Sequence, residues 1–270
     1  MTDTVESGPP VIRVERSEAI ATLFLSRPDR RNAVSRAMLD QIVTALGDLA
    51  AEPQLRVMVL AGDGPDFCAG ADLSELVSTE PPDFDFARSF EAALDAIADL
   101  PVPVIARIQG AALGAGCQIA VGCDLAVAAE DARFGIPSSR LGILVNFENI
   151  ERLALAVGRK RAGEILFTGR QVSGAEAATW GLVNEAVPAR DLERRTDEVA
   201  RAIAEAAPLS VRGSKRALRV VLRGLSLDRS TETHRVADFD MMAAEALGSE
   251  DLQEGIRAHR ERRKPRFKGA

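Results

Sequence analysis

The chain has 270 residues, 46% of them hydrophobic and 27% charged, enough to fill one sizeable core and unlike a disordered polymer. A net charge of −6 argues against a general nucleic-acid binder, and no apolar run is long enough to span a membrane. The three cysteines (Cys68, Cys117 and Cys123) are odd in number and lack zinc-site spacing, which fits a reducing compartment, and with no apolar signal segment near the start the chain reads as cytoplasmic.

Residues 1–10 read as a loose, proline-marked tail. Val11 to Val14 and Ala19 to Leu25 predict two strands joined by a turn at Ser17-Glu18. Ser35 is placed to cap a helix whose apolar face is Met38, Leu39, Ile42, Leu46 and Leu49. Val57 to Ala61 predicts a buried strand that ends in Gly62-Asp63-Gly64-Pro65. The cycle then repeats: a helix over Phe86 to Leu100 stopped by Pro101, and a buried strand over Val104 to Ile108. After these come a glycine- and alanine-rich segment from Gly110 to Gly116, helix to Gly122, and a strand over Leu125 to Ala129. From Glu148 onward the pattern is helical, with Asn184 to Val187 the expected exception. The reading is therefore an α/β core over residues 11–190 and a helical C-terminal region over residues 191–270.

Two segments carry candidate chemistry: Phe67-Cys68-Ala69-Gly70-Ala71-Asp72-Leu73 and Gly110-Ala111-Ala112-Leu113-Gly114-Ala115-Gly116-Cys117. Each follows a buried strand and is built mostly of small residues, which let a ligand approach backbone N–H groups. The second also opens a helix, whose first N–H groups favour negative charge. Two such groups converging from different loops make an oxyanion hole. The same small residues also serve plain helix–sheet packing, and neither segment has the phosphate-cradling P-loop pattern.

Taken together and in order, the motifs resemble the enoyl-CoA hydratase/isomerase (crotonase) superfamily over nearly the whole chain. They run from Leu25-Ser26-Arg27-Pro28 with Arg31-Asn32-Ala33 through the two small-residue segments, with Pro103-Val104-Ile105-Ala106 between them. Cys123-Asp124-Leu125, Phe134-Gly135-Ile136-Pro137, Gly181-Leu182-Val183-Asn184 and Arg262 to Phe267 complete the set. The resemblance implies a crotonase-like spiral of β-β-α units with a helical C-terminal trimerisation region, and a homo-trimer or dimer of trimers. It implies a coenzyme A thioester as substrate or ligand, with no metal and no further cofactor. It places the oxyanion donors at Ala71 and Ala115. It places acyl-CoA contacts at Arg30, Ala33, Ala69, Asp72, Leu73 and Ser74, and at Phe267 and Lys268 in the basic C-terminal end.

The chain departs from that pattern where the family's hydratases carry two glutamates. Those positions hold Gln118 and Ser138, and neither side chain is a carboxylate base. Standard hydration is therefore not expected, and hydrolysis, decarboxylation or isomerisation of an acyl-CoA stays open, as does acyl-CoA binding without catalysis. Glu148 is either a relocated base or a first-turn helix acid behind an Asn146 cap. Asp83 and Asp85 lie in a polar loop that is a candidate cover of the acyl pocket. His234, His259 and Trp180 read as structural or surface groups.

Overall fold

The computed structural model describes residues 11–76, 85–225, 244, 248–263 and 265–266. Its centre is a six-stranded sheet in the order β1-β2-β3-β4-β6-β9. These strands are β1 (Ile12–Ser17), β2 (Ile20–Leu25), β3 (Val57–Gly62), β4 (Val104–Ile108), β6 (Leu125–Ala129) and β9 (Glu185–Val187). The β1–β2 hairpin is antiparallel and every later pairing in this sheet is parallel. Parallel strands covered on both faces need continuous apolar runs, and β3 and β4 supply them: Val57 to Ala61 and Val104 to Ala106 are all buried.

A smaller sheet, β5-β7-β8, combines β5 (Ala111–Leu113), β7 (Arg133–Gly135) and β8 (Val172–Ser173). Each of β4 and β6 is followed closely by a short strand of this second layer and then by a helix, which is the β-β-α turn of the spiral. The short strands were not anticipated. Two or three residues are too few to show an alternating pattern, and main-chain pairing alone defines them.

The helices follow the predicted periodicity. Ser35 caps α1 (Arg36–Ala50) by accepting from the Met38 N–H, and α1 buries Met38, Leu39, Ile42, Leu46 and Leu49. Each such side chain contributes about 2 kcal/mol when fully removed from water. After the one-turn α2 (Leu73–Leu76), α3 (Asp85–Asp99) buries Phe86, Phe90, Ala93, Leu94 and Ile97 and packs on α1. Then come α4 (Ala115–Gly122), α5 (Phe147–Thr168, broken at Gly158) and α6 (Gly174–Trp180).

Beyond residue 190, α7 (Leu192–Glu205) lies across β2, β3, β4 and β6 through Leu192, Thr196 and Ala200. Lys215 on α8 (Pro208–Leu225) pairs with Asp124 at 2.7 Å and donates to the carbonyls of Ile97 and Val102. Asp124 in turn accepts from the Val104 N–H, so it ties α8 to the start of β4. The last helix, α9 (Glu250–Arg260), presses its backbone on the turn after Ser138: a Cβ on Gly255 would sit 2.4 Å from the Leu141 carbonyl oxygen. No helix among the described residues is long and apolar enough to cross a membrane.

Candidate active site

The first donor loop is built after β3. Asn32, fully buried, holds it by donating its amide to the carbonyls of Asp63 (2.8 Å) and Asp66 (2.7 Å) while accepting from the Arg27 N–H (2.9 Å). Asn32 has φ +55°, a left-handed conformation that asparagine tolerates better than most residues. Val34 then pairs with the loop: its N–H donates to Gly70 O, and Asp72 N–H donates to Val34 O, both at 2.8 Å. In that rung pattern the Ala71 N–H points the other way, and it makes no hydrogen bond among the described residues.

The second loop is laced to the first. Cys68 N–H donates to Ala111 O (2.8 Å) and Leu113 N–H to Cys68 O (2.9 Å). The Asp66 carboxylate adds a third tie, accepting from the Ala111 N–H at 2.7 Å and from Arg31 at 2.7 Å. Arg31 and the Ala111 N–H hold the Asp66 carboxyl below the ordinary carboxylate range, against the opposing effect of burial. Gly114 opens α4 with φ +54°, and a Cβ there would lie 3.7 Å from Gly70 Cα, itself at φ +123°. The two glycines therefore face each other, and each is followed by one of the predicted donors. Ala115 is not in the left-handed region, and its N–H, like that of Ala71, is unbonded among the described residues. The result is two unpaired N–H groups on facing loops, one of them at a helix N-terminus without a side-chain cap.

The predicted CoA contacts cluster around the first loop. Arg30 ends an exposed turn, Pro28–Arg30. The Ala33 carbonyl accepts from Arg27, and Ala69 N–H donates to Arg31 O. Asp72 faces inward to Arg27 at 2.9 Å and also accepts from the Ser74 N–H and hydroxyl. Burial pushes the Asp72 carboxyl up, but Ser74 and Arg27 outweigh it and hold it below its usual range. Leu73 is half-buried at the start of α2. Phe267, Lys268, Asp83 and His234 lie outside the described residues.

Gln118, one turn into α4, and Ser138, in the turn Pro137–Arg140, are half-buried, and neither side chain has a partner among the described residues. Glu148 sits in the first turn of α5, behind Asn146, which caps the helix by accepting from the Asn149 N–H. A carboxylate that sequence reasoning missed reaches the same place. Glu91, on α3, accepts from the amides of Asn146 and Asn149, each at 2.6 Å, and pairs with Arg152 at 3.1 Å. The available signal was its position beside Phe90 at the edge of the apolar stripe of α3; its partners lie 55 to 61 residues away and leave no local trace. Cys68 and Cys117 are fully buried, and burial pushes both thiols up to about 12, which disfavours the reactive thiolate.

The family model described as enoyl-CoA hydratase/isomerase matches residues 15–270. The enoyl-CoA hydratase domain-containing protein 2, mitochondrial, of Bos taurus is 36% identical, covering 94% of this chain and 86% of its own. The 2,3-dehydroadipyl-CoA hydratase of Escherichia coli K12 is 35% identical over 95% and 98% of the two chains. Among solved structures, methylmalonyl-CoA decarboxylase complexed with 2S-carboxypropyl CoA superposes with a TM-score of 0.88 at 27% identity, covering 97% of this chain and 100% of that one.

Proposed function

The chain belongs to the enoyl-CoA hydratase/isomerase family, and from that premise we propose that it is an enzyme that binds an acyl-CoA and stabilises a thioester oxyanion or enolate, with a reaction other than standard hydration. The observation that carries this reading is the pair of unbonded N–H groups of Ala71 and Ala115, each one residue beyond a glycine that faces the other loop. A thioester oxygen held there exchanges water for two preorganised donors, which favours the state in which the oxygen is most negative. The solved relative bound to 2-nitronate-propionyl-CoA, and the one bound to 2S-carboxypropyl CoA, support an acyl-CoA as the ligand class. The family resemblance assigns contacts with the CoA portion to Arg30, Ala33, Ala69, Asp72, Leu73 and Ser74, on the first loop and the segment that pairs with it. Gln118 and Ser138 remove the two carboxylates on which water addition depends.

Calorimetric titration with butyryl-CoA, using free CoA and NAD as controls, tests the reading. Saturable binding of the thioester, tighter than that of free CoA, is expected. An absence of binding by every acyl-CoA tried rejects it.

The same reading includes a trimer-based assembly. Phe167, Leu209 and Leu218 are 81%, 86% and 63% exposed on α5 and α8, and such surfaces leave water most readily against another copy. Sedimentation at micromolar concentration should give a multiple of three protomers; a monomer or a simple dimer contradicts the assignment.

A further inference from the structure

We propose that Glu91 is the general base of the acyl pocket, supplying from α3 the carboxylate that positions 118 and 138 lack. The inference rests on the acyl-CoA reading above. Leu94 of α3 meets α4 at Gly122, where an added Cβ would lie 3.0 Å from Leu94 Cδ2. Helices α3 and α4 precede β4 and β6, neighbouring parallel strands of the main sheet. Moving one turn back on both, about 5 Å, carries Leu94 to Glu91 and Gly122 to Gln118. Glu91 and Gln118 thus each lie one turn before the point where α3 meets α4, and Gln118 is one turn from the Ala115 donor.

The third wall is α5. Asn146, eight residues after Ser138, caps that helix and donates to Glu91, and Asn149 donates to the same oxygen. Asn149 is 3% exposed, so its amide is committed to this contact. Two amides on one oxygen and Arg152 on the other fix the α3 carboxylate against the first turns of α5. Of the roughly four lone-pair positions of a carboxylate, three are occupied and one, on Oε2, is left for a substrate proton. Glu148, in the same turn, has no such support among the described residues.

The step is proton abstraction from Cα of the thioester. The Cα–H bond breaks and an O–H bond forms at Glu91. The C–H electron pair moves into the Cα–C bond, and the carbonyl π pair moves onto oxygen, where Ala71 and Ala115 N–H receive it. Return of a proton from Glu91 to Cα restores the thioester, so no oxidant or co-reactant is needed.

The test is hydrogen exchange at Cα of butyryl-CoA in D₂O, read by mass spectrometry, alongside calorimetric binding of the same thioester. The unaltered protein should bind and exchange. Glu91→Gln should bind with unchanged affinity and lose exchange by about 10²- to 10⁴-fold. Glu91→Asp, which retracts the carboxylate by one methylene, should fall between. Asp95→Asn, which alters the outer partner of Arg152, should leave exchange unchanged. Exchange that persists in Glu91→Gln overturns the proposal, as does an unaltered protein that binds butyryl-CoA without exchanging it. If Glu91→Gln fails to fold, full exchange by Glu91→Asp overturns it and reduced exchange with intact binding supports it. Failure of the unaltered protein to bind butyryl-CoA removes the acyl-CoA reading itself, a result distinct from the others.

Discussion

The proposed donor loops and the proposed acid–base wall are encoded differently. The donors are backbone N–H groups, so they depend on chain path: on Gly70 and Gly114 at positive φ and on the rungs from Cys68 to Ala111 and Leu113. Any residue except proline that keeps the path keeps the donor, which is why alanine at position 115 leaves the N–H in place. An acid–base group belongs to one side chain. A single different side chain can lack it while the fold around it stands, and Gln118 and Ser138 carry no carboxylate. The proposed base comes instead from α3, where Glu91 reaches over to Asn146 and Asn149.

The largest expected effect tests whether the wall alone was altered. The unaltered protein should hydrate crotonyl-CoA very slowly. The double change Gln118→Glu with Ser138→Glu should raise that rate by at least about 10²-fold, since each positioned acid or base typically contributes 10²- to 10⁴-fold. Steady-state loss of the enoyl chromophore measures it. Hydration by the unaltered protein at ordinary enzymatic rates, on the order of 10 s⁻¹, would break the comparison. A double variant no faster than its parent would mean that the surroundings of the two positions have diverged as well.

The same division explains what was legible in the sequence. The long strands β3, β4 and β6 and the helices α1 and α3 announce themselves, because burying a continuous run or one helical face requires that pattern. The donor loops were legible too, since close approach of two backbones requires small residues at fixed places. The short strands β7 and β8 were not, because main-chain bonds make them and their side chains follow no period. Asp66 and Glu91 were also missed. Asp66 acts across 35 and 45 residues and Glu91 across 55 or more, and nothing local separates an acid that binds a distant N–H or amide from one that is solvated.

Asp66 gives the smaller effect, confined to the donor half. Its carboxylate joins the Ala111 N–H and Arg31, so it registers the second loop against the first. Asparagine at position 66 keeps an oxygen for Ala111 and gives up the charge-assisted bond to Arg31. Because Arg31 is half exposed, at 49%, solvent screens that bond, and Asp66→Asn should cost about 1–2 kcal/mol at neutral pH. The folded-state pKa of Asp66 lies below its ordinary value of 3.8. The stabilisation is therefore complete above that value, where the group is ionised in both folded and unfolded chains. It is lost as the pH falls through the lower, folded-state pKa, where both become protonated. Urea denaturation of the two proteins from pH 7 down to pH 3 should show a stability gap that is constant above about pH 5 and narrows below about pH 4. A gap of the same size at both ends would mean that Asp66 acts through its shape alone. Butyryl-CoA binding should weaken in the variant in step with the gap, because a second loop free to shift carries the Ala115 donor with it.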